Sequence, residues 1–244
     1  MFHSSHFLGS LVQVFEMSIK ERYENILERV ARACERVGRK PEEVKILGAA
    51  KKQPPEKIRE AFEAGLRLIG ENYVQEAQKK REALLDLPLS WHLIGPLQTN
   101  KARHAVKIFD LVETVDRPAI AKELNKRAER LGRVLPVFIE VNVGGEETKA
   151  GTSPEGLFEL AELVLSLGNL KLCGLMTIPP YREDPEEVRP FFASLRKFLE
   201  NLKERYPEAP LSELSMGMSH DFEVAVEEGA TIIRIGTALF GPRS

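Results

Sequence analysis

From residue 44 onward, short apolar runs alternate with longer stretches in which apolar residues recur every three or four positions. The runs occupy residues 44–50, 66–70, 91–95, 111–115, 137–143, 170–178, 214–218 and 231–235, each bounded by Gly, Pro, Asp or Asn. Continuous apolar runs of this length suit strands of a parallel sheet covered on both faces. The stretches between them carry helix-start signals. Pro54-Pro55 precedes Ile58, Ala61 and Phe62, and Gly65 closes that segment. Ser153 followed by Pro154 predicts a capped start ahead of Leu157, Leu160, Ala161 and Val164. Asp184-Pro185 marks another start before Phe191, Leu195, Phe198 and Leu202. Pro190 moves that start later, because a proline deep in a helix removes a hydrogen bond. Ser219 or Asp221 opens a further helix through Phe222, Ala225 and Val226, ending at Gly229.

One helix precedes the alternation. Ser18-Ile19-Lys20-Glu21 is a capping box, and Ile19, Tyr23, Ile26, Leu27, Val30, Cys34 and Val37 form the apolar stripe behind it. Gly38 ends it. Residues 1–16 have no clear period, and Met17 stands directly before the box. The expectation is that residues 1–17 are a disordered extension or lie upstream of the true start, and that residues 18–244 form one domain.

Eight strands separated by helices predict an α/β protein, a single (β/α)8 TIM barrel with an extra N-terminal helix. An open doubly wound sheet is the alternative. The 244 residues match the roughly 250 of such a barrel. The net charge of −2 argues against bulk affinity for nucleic acid or an anionic membrane. No window reaches the roughly 20 apolar residues of a membrane span. Residues 7–15 are apolar but lack a basic flank and contain Gln13, which makes a poor signal peptide and leaves a cytoplasmic location as the default. Cys34 and Cys173 are too few for a disulfide framework or a four-thiolate zinc site and read as reduced core thiols, and the five His are too scattered for a metal site.

Barrel enzymes place their sites at the C-terminal ends of the strands. The residues there are Lys51, Asn72, His92, Asp116, Asn142, Thr177, Met218 with Ser219, and Arg234 through Thr237. Strand alternation puts Lys51 in phase with Leu47 and Ala49, and Arg234 in phase with Ile232 and Gly236, so one face can carry both cations. Gly236 and Thr237 after the last strand, with Ser219 after the seventh, suit an anion held by backbone N–H groups and hydroxyls, although a Gly-Thr pair alone equally describes an ordinary turn. A lysine near other cations is a better nucleophile toward aldehydes. Lysine, anion cradle and arginine together suggest a phosphorylated aldehyde, with pyridoxal 5'-phosphate (PLP) the leading candidate. His92 reads more readily as a structural hydrogen-bond partner than as a base.

Long ordered segments then resemble the pyridoxal phosphate homeostasis protein family, also called the proline synthase co-transcribed family. They are LGAAKKQP around Lys51, IGENYVQE over 69–76, WHLIGPLQTNKAR over 91–103, ETKAG over 147–151, GLMTIP over 174–179 and LSMGMSHDFEVAVEEGATIIRIGTALFG over 214–241. The resemblance covers essentially residues 18–244 and implies a barrel like the N-terminal domain of alanine racemase. It implies that Lys51 holds PLP as an aldimine, that Ser219, Gly236 and Thr237 hold its phosphate, that Arg234 faces the pyridine nitrogen, and that Asn72 and Met218 line the cofactor. Lys149 matches a loop lysine linked to cofactor transfer. The family pattern Val-Ser-Lys-Thr-Lys-Pro here reads Ala-Ala-Lys-Lys-Gln-Pro, so Gln53 replaces a lysine and Lys52 is a rival for the attachment. His220 replaces the first Asp of Met-Ser-Asp-Asp.

The implied function is intracellular PLP homeostasis: binding, buffering and delivering PLP to apo PLP-dependent enzymes with no or weak catalysis, as a monomer, without nucleic acid or membrane. An arginine at the ring nitrogen keeps it unprotonated and makes PLP a weaker electron sink. Because the last apolar run lies close to residue 244, the expectation is a barrel without the second domain that completes racemase sites. The alternatives are a single-domain PLP-dependent amino-acid racemase and a Schiff-base barrel enzyme acting on a phosphorylated sugar.

Overall fold

The computed structural model describes residues 17–146 and 149–242. The expectation for the N-terminal extension therefore lies outside the described residues except at Met17. Eight parallel strands close into a barrel in sequence order, which decides between the barrel and the open sheet. They are β1 (Lys45–Ala49), β2 (Leu68–Glu71), β3 (Ser90–Leu93), β4 (Leu111–Val115), β5 (Leu135–Glu140), β6 (Leu170–Met176), β7 (Glu213–Met218) and β8 (Ile232–Ile235). The surrounding helices are α1 (Ile19–Arg36), α2 (Pro55–Glu63), α3 (Val74–Ala83), α4 (Ala102–Ile108), α5 (Pro118–Arg130), α6 (Leu157–Ser166), α7 (Arg189–Arg205), α8 (Phe222–Glu227) and the short α9 (Thr237–Phe240).

The extra helix α1 begins as its sequence requires. Ser18 Oγ accepts the Glu21 N–H at 3.2 Å, and Glu21 Oε2 accepts the Ser18 N–H at 2.7 Å. Its buried stripe of Ile26, Val30, Ala33 and Cys34 packs on α2, α8 and α9, across the seam between the first and last helices of the ring. Arg39, just beyond it, donates to the carbonyls of Val226 and Ala230, which cap the end of α8.

Strand alternation sorts the apolar residues into two cores. The outer one fills the space between strands and helices. The inner one lies inside the barrel around Leu47, Ile94, Phe138, Met176 and Ile232, with Ala49, Leu68, Leu111 and Cys173 packed against it. Cys34 is buried as expected, but Cys173 is only half-buried, at the lower end of the barrel beside Lys45 and Lys171.

Several boundaries differ from the sequence pattern for local reasons. Ser153 does not cap a helix starting at Pro154. Residue 152 is instead held beside β5, with the Thr152 N–H on the Glu140 carbonyl and the Asn142 N–H on the Thr152 carbonyl. Ser153 Oγ then takes the Gly156 N–H in a turn, and α6 starts at Leu157. Both suggested starts ahead of α7 are used. Asp184 Oδ1 caps a 3-10 turn at Pro185–Val188, and Pro190 sits in the first turn of α7, where its missing N–H costs nothing. Asp221, rather than Ser219, is the residue before α8.

Gly217 controls how β7 meets α8. Its φ is +92°, and a Cβ there would lie 2.5 Å from Ala225 Cβ and 3.0 Å from Phe222 Cα. Gly217→Ala combines a left-handed backbone with overpacking and is expected to cost about 2–4 kcal/mol. Urea unfolding measures this directly; a loss below experimental error would show that the strand end can move away from α8.

Candidate active site at the barrel mouth

The strand registers bring the two cations of the sequence pattern to one end of the barrel. Leu47 pairs with Arg234 and Gly48 with Ile235, so Lys51 stands just above β1 next to the end of β8. Lys51 is half-buried, with Nζ 5.3 Å from the centre of the Tyr73 ring. Tyr73 follows Asn72 in the loop after β2. Asn72 is half-buried and lines a rim groove with Tyr73, Gln98, Lys101 and Arg117. Gly95 makes room for it: a Cβ at position 95 would lie 2.5 Å from the Asn72 carbonyl oxygen.

Arg234 is inside the barrel, 3% exposed. Nη1 donates to Ser215 Oγ at 2.8 Å and Nη2 to the Thr177 carbonyl at 2.7 Å. Ser215 Oγ in turn donates to Glu113 Oε2 at 2.5 Å, and Glu113 Oε1 faces His92 Nδ1 at 2.7 Å. A hydrogen-bonded chain thus crosses the barrel from β3 to β8. His92 belongs to its lower end, where it lines an opening of about 400 Å³ with Lys45, Leu68 and Glu213. That is the end opposite Lys51, so His92 is a structural partner and not a residue of the mouth. Burial works against the Arg234 charge, while Glu113, Glu140 and Asp221 work for it.

The loops after β7 and β8 meet. Ser219 Oγ accepts the Ala238 N–H at 3.2 Å, which seats Ser219 against the first turn of α9. Gly236 precedes α9, and a Cβ on it would meet only Ala49, at 3.7 Å or beyond. Packing within the protein therefore does not demand glycine there. Thr237 is exposed and Met218 is 37% exposed at the same rim. The Met218 N–H is held by Asp221 Oδ1 at 2.7 Å, and burial pushes the Asp221 carboxyl up against the pull of that bond, Arg234 and His220. His220 Nε2 faces the carbonyls of Arg182 and Glu183 at 3.1 and 3.0 Å, so it ties the β6 loop to the β7 loop.

The remaining strand-end residues serve the loops. Asp116 pairs with Arg117, Asn142 donates to the Glu146 carbonyl, and Thr177 Oγ1 donates to the Val141 carbonyl. Lys149 contacts Glu146 Oε2 at 2.6 Å and the Pro179 carbonyl at 3.2 Å, bridging the loops after β5 and β6. Gln53 is buried, and its N–H closes a turn onto the Ala50 carbonyl at 2.9 Å. Lys52 is exposed and lies in the left-handed region, with φ +61°.

Similarity to known proteins fits this geometry. The model of the alanine racemase N-terminal domain matches residues 24–244. A pyridoxal phosphate homeostasis protein of Aquifex aeolicus is 56% identical over 93% of this chain and 99% of its own. The chain belongs to the pyridoxal phosphate homeostasis protein family. The structure of PipY from Synechococcus elongatus with PLP bound is 40% identical, with a TM-score of 0.81 over 92% of this chain and 100% of that one. An alanine racemase of Clostridium difficile, 20% identical with a TM-score of 0.69 over 89% of this chain and 56% of that one, shares the fold. Among the described residues no helix is long and apolar enough to cross a membrane.

The apolar-run reading passed over Glu113, Ser215 and Glu140. All three interrupt apolar runs in phase with the inner face, which was the available signal. Glu140 is 5% exposed, with no hydrogen-bond partner for Oε2. Burial pushes its carboxyl up to about 7, with Asp116 and Glu113 adding to the rise and Arg234 opposing it. The folded protein thus keeps this proton to about pH 7, whereas the unfolded chain releases it near 4.5. The stability associated with the proton is fully present below about pH 4.5 and is lost as pH rises through about 7. Glu140→Gln is expected to change little at about pH 4 and to stabilise the fold at about pH 8 by up to roughly 3 kcal/mol. Thermal melts at the two pH values test this; the same shift at both would rule out an elevated carboxyl.

Proposed function

We propose that this chain binds PLP at the barrel mouth through Lys51 and stores it, buffering the free aldehyde and delivering it to apo PLP-dependent enzymes, without turning over amino acids. The observation that carries the reading is the convergence of Lys51, Arg234 and the Ser219–α9 contact at the ends of β1, β8 and β7, in a family with a member solved with PLP bound.

The residues present fit the group. When bound, PLP supplies an aldehyde that a lysine amine can capture, a ring nitrogen and a phosphate. Lys51 offers the amine at the mouth. Ser219, Gly236 and Thr237 offer a hydroxyl, an uncrowded backbone and a second hydroxyl for the phosphate. Asn72 from the rim groove and Met218 from the end of β7 would line the cofactor, and Arg234 would face its ring nitrogen. A guanidinium has five donors and no acceptor, so it disfavours a proton on a nitrogen beside it. An unprotonated ring withdraws electrons weakly, which suits holding the cofactor better than stabilising a carbanion. The location of His92 at the far end of the barrel, engaged with Glu113, supports the same reading because it removes the histidine considered as a base.

Arg234 also sits among Glu113, Glu140 and Asp221. A carboxylate at that position would meet three acids without a counter-charge, so Arg234→Glu is a test of folding before it is a test of the ring nitrogen.

Borohydride treatment of the PLP-loaded protein should fix the cofactor on the peptide containing Lys51, and Lys51→Ala should lose the visible band. Fixation at neither Lys51 nor Lys52 would show the site to be elsewhere. Transfer of solvent deuterium to the α-carbon of free amino acids at enzyme-like rates would replace the storage reading with the racemase.

A further inference from the structure

Behind the Lys51 turn lies a buried cation that the mouth does not use. Lys80, on α3, has a side chain only 8% exposed, beside β2. Its Nζ donates to the Ala50 carbonyl at 2.7 Å, to Glu71 Oε1 at 2.6 Å and to Glu76 Oε1 at 2.7 Å. These three acceptors match the three donors of an ammonium. Glu76 Oε1 also accepts the Lys52 N–H at 2.6 Å. The carbonyl on one side of Lys51 and the N–H on the other therefore end on the same cluster of charges. The turn is closed further by the Ala50 N–H on the Gly70 carbonyl and the Gln53 N–H on the Ala50 carbonyl, both at 2.9 Å.

Two features bear on what the cluster does. A buried ion cluster carries a desolvation cost that apolar packing of the same volume avoids. Glu71 shows that cost: it is completely buried, its Oε2 has no partner, and burial pushes its carboxyl up to about 7 although Lys80 opposes the rise. Lys52 is also the single non-glycine residue with positive φ among the described residues. A side-chain-bearing residue stays in that region only where its surroundings over-determine it, and the Lys52 N–H bond to Glu76 supplies the restraint.

We propose that Lys80, with Glu71 and Glu76, positions Lys51 by clamping the backbone on both sides of it, and so sets the rate at which the Lys51 amine captures an aldehyde. In that capture the neutral amine forms a C=N bond, the C=O bond breaks, and the aldehyde oxygen leaves as water with the two hydrogens of the amine. The proposal rests on the reading of Lys51 as the attachment site.

The test uses the full chain and three readouts: the rate at which the visible band grows on adding PLP, the borohydride-labelled peptide, and the thermal midpoint. The double variant Lys80→Met/Glu71→Gln removes the cation together with its buried partner and leaves no uncompensated buried charge. It is expected to melt close to the unsubstituted protein and still label Lys51, but to capture PLP tenfold to a hundredfold more slowly, the order of penalty for a misplaced reacting group. A normal capture rate in the folded double variant would reduce the cluster to a structural one and overturn the proposal. If that variant does not fold, Glu76→Ala cuts the tether to Lys52 from a partly exposed position; several-fold slower capture at an unchanged melting point supports the clamp, and unchanged capture overturns it. Labelling of the unsubstituted protein away from Lys51 would instead refute the attachment site itself, whatever the rates.

Discussion

The barrel is organised around a positive charge held almost entirely out of water. Arg234 projects from the last strand into the interior, and its guanidinium is satisfied by a serine from β7 and a carbonyl beyond β6. Ser215 is in turn bonded to Glu113 from β4, and Glu113 to His92 from β3. The interior therefore divides into an apolar layer around Leu47, Phe138 and Met176 and a polar network that crosses it. Buried polar groups are tolerable when they are paired, and strongly destabilising when one partner is lost. The network consequently both limits what position 234 can hold and keeps the guanidinium in one orientation beneath the mouth.

A second buried cation lies outside the strands and follows the same rule. Lys80 is saturated by two carboxylates and one carbonyl, and the carbonyl belongs to the residue before Lys51. The two cations act at different levels. Arg234 is held by side chains and presents a charge to the site, whereas Lys80 is held largely by acids and acts on backbone. Between them lies β1, whose inner face carries Leu47 and Ala49 and whose end carries Lys51. The half-exposed mouth is thus built on elements that have little freedom to move, as a site that must present one amine in one place requires.

Much of this was legible in the chain. Apolar runs and capping signals were enough for eight strands, their order and the start of α1, because these depend on local periodicity and on backbone groups within a few residues. The phase of Lys51 and Arg234 could also be read, since alternation along a strand is a covalent property. Ser153 and Pro154 misled because their helix-start signal was strong while the ladder holding Thr152 beside β5 was invisible. His92 was correctly read as a hydrogen-bond partner but wrongly grouped with the mouth, since a position inside a strand does not say how high in the barrel the side chain sits.

The sequence by itself determined the fold class, the helix that precedes it and the residue types available at the strand ends, all consequences of local pattern. Only the tertiary structure decided which of them meet. Glu113 and Ser215 are 102 residues apart and join across the barrel; Lys80 reaches back 30 residues to the Ala50 carbonyl. Such pairings exist only after the sheet has closed, because closure sets the height and facing of every side chain at once. It is also closure, by removing water, that turns a polar residue in an apolar run from an apparent interruption into half of an obligatory pair.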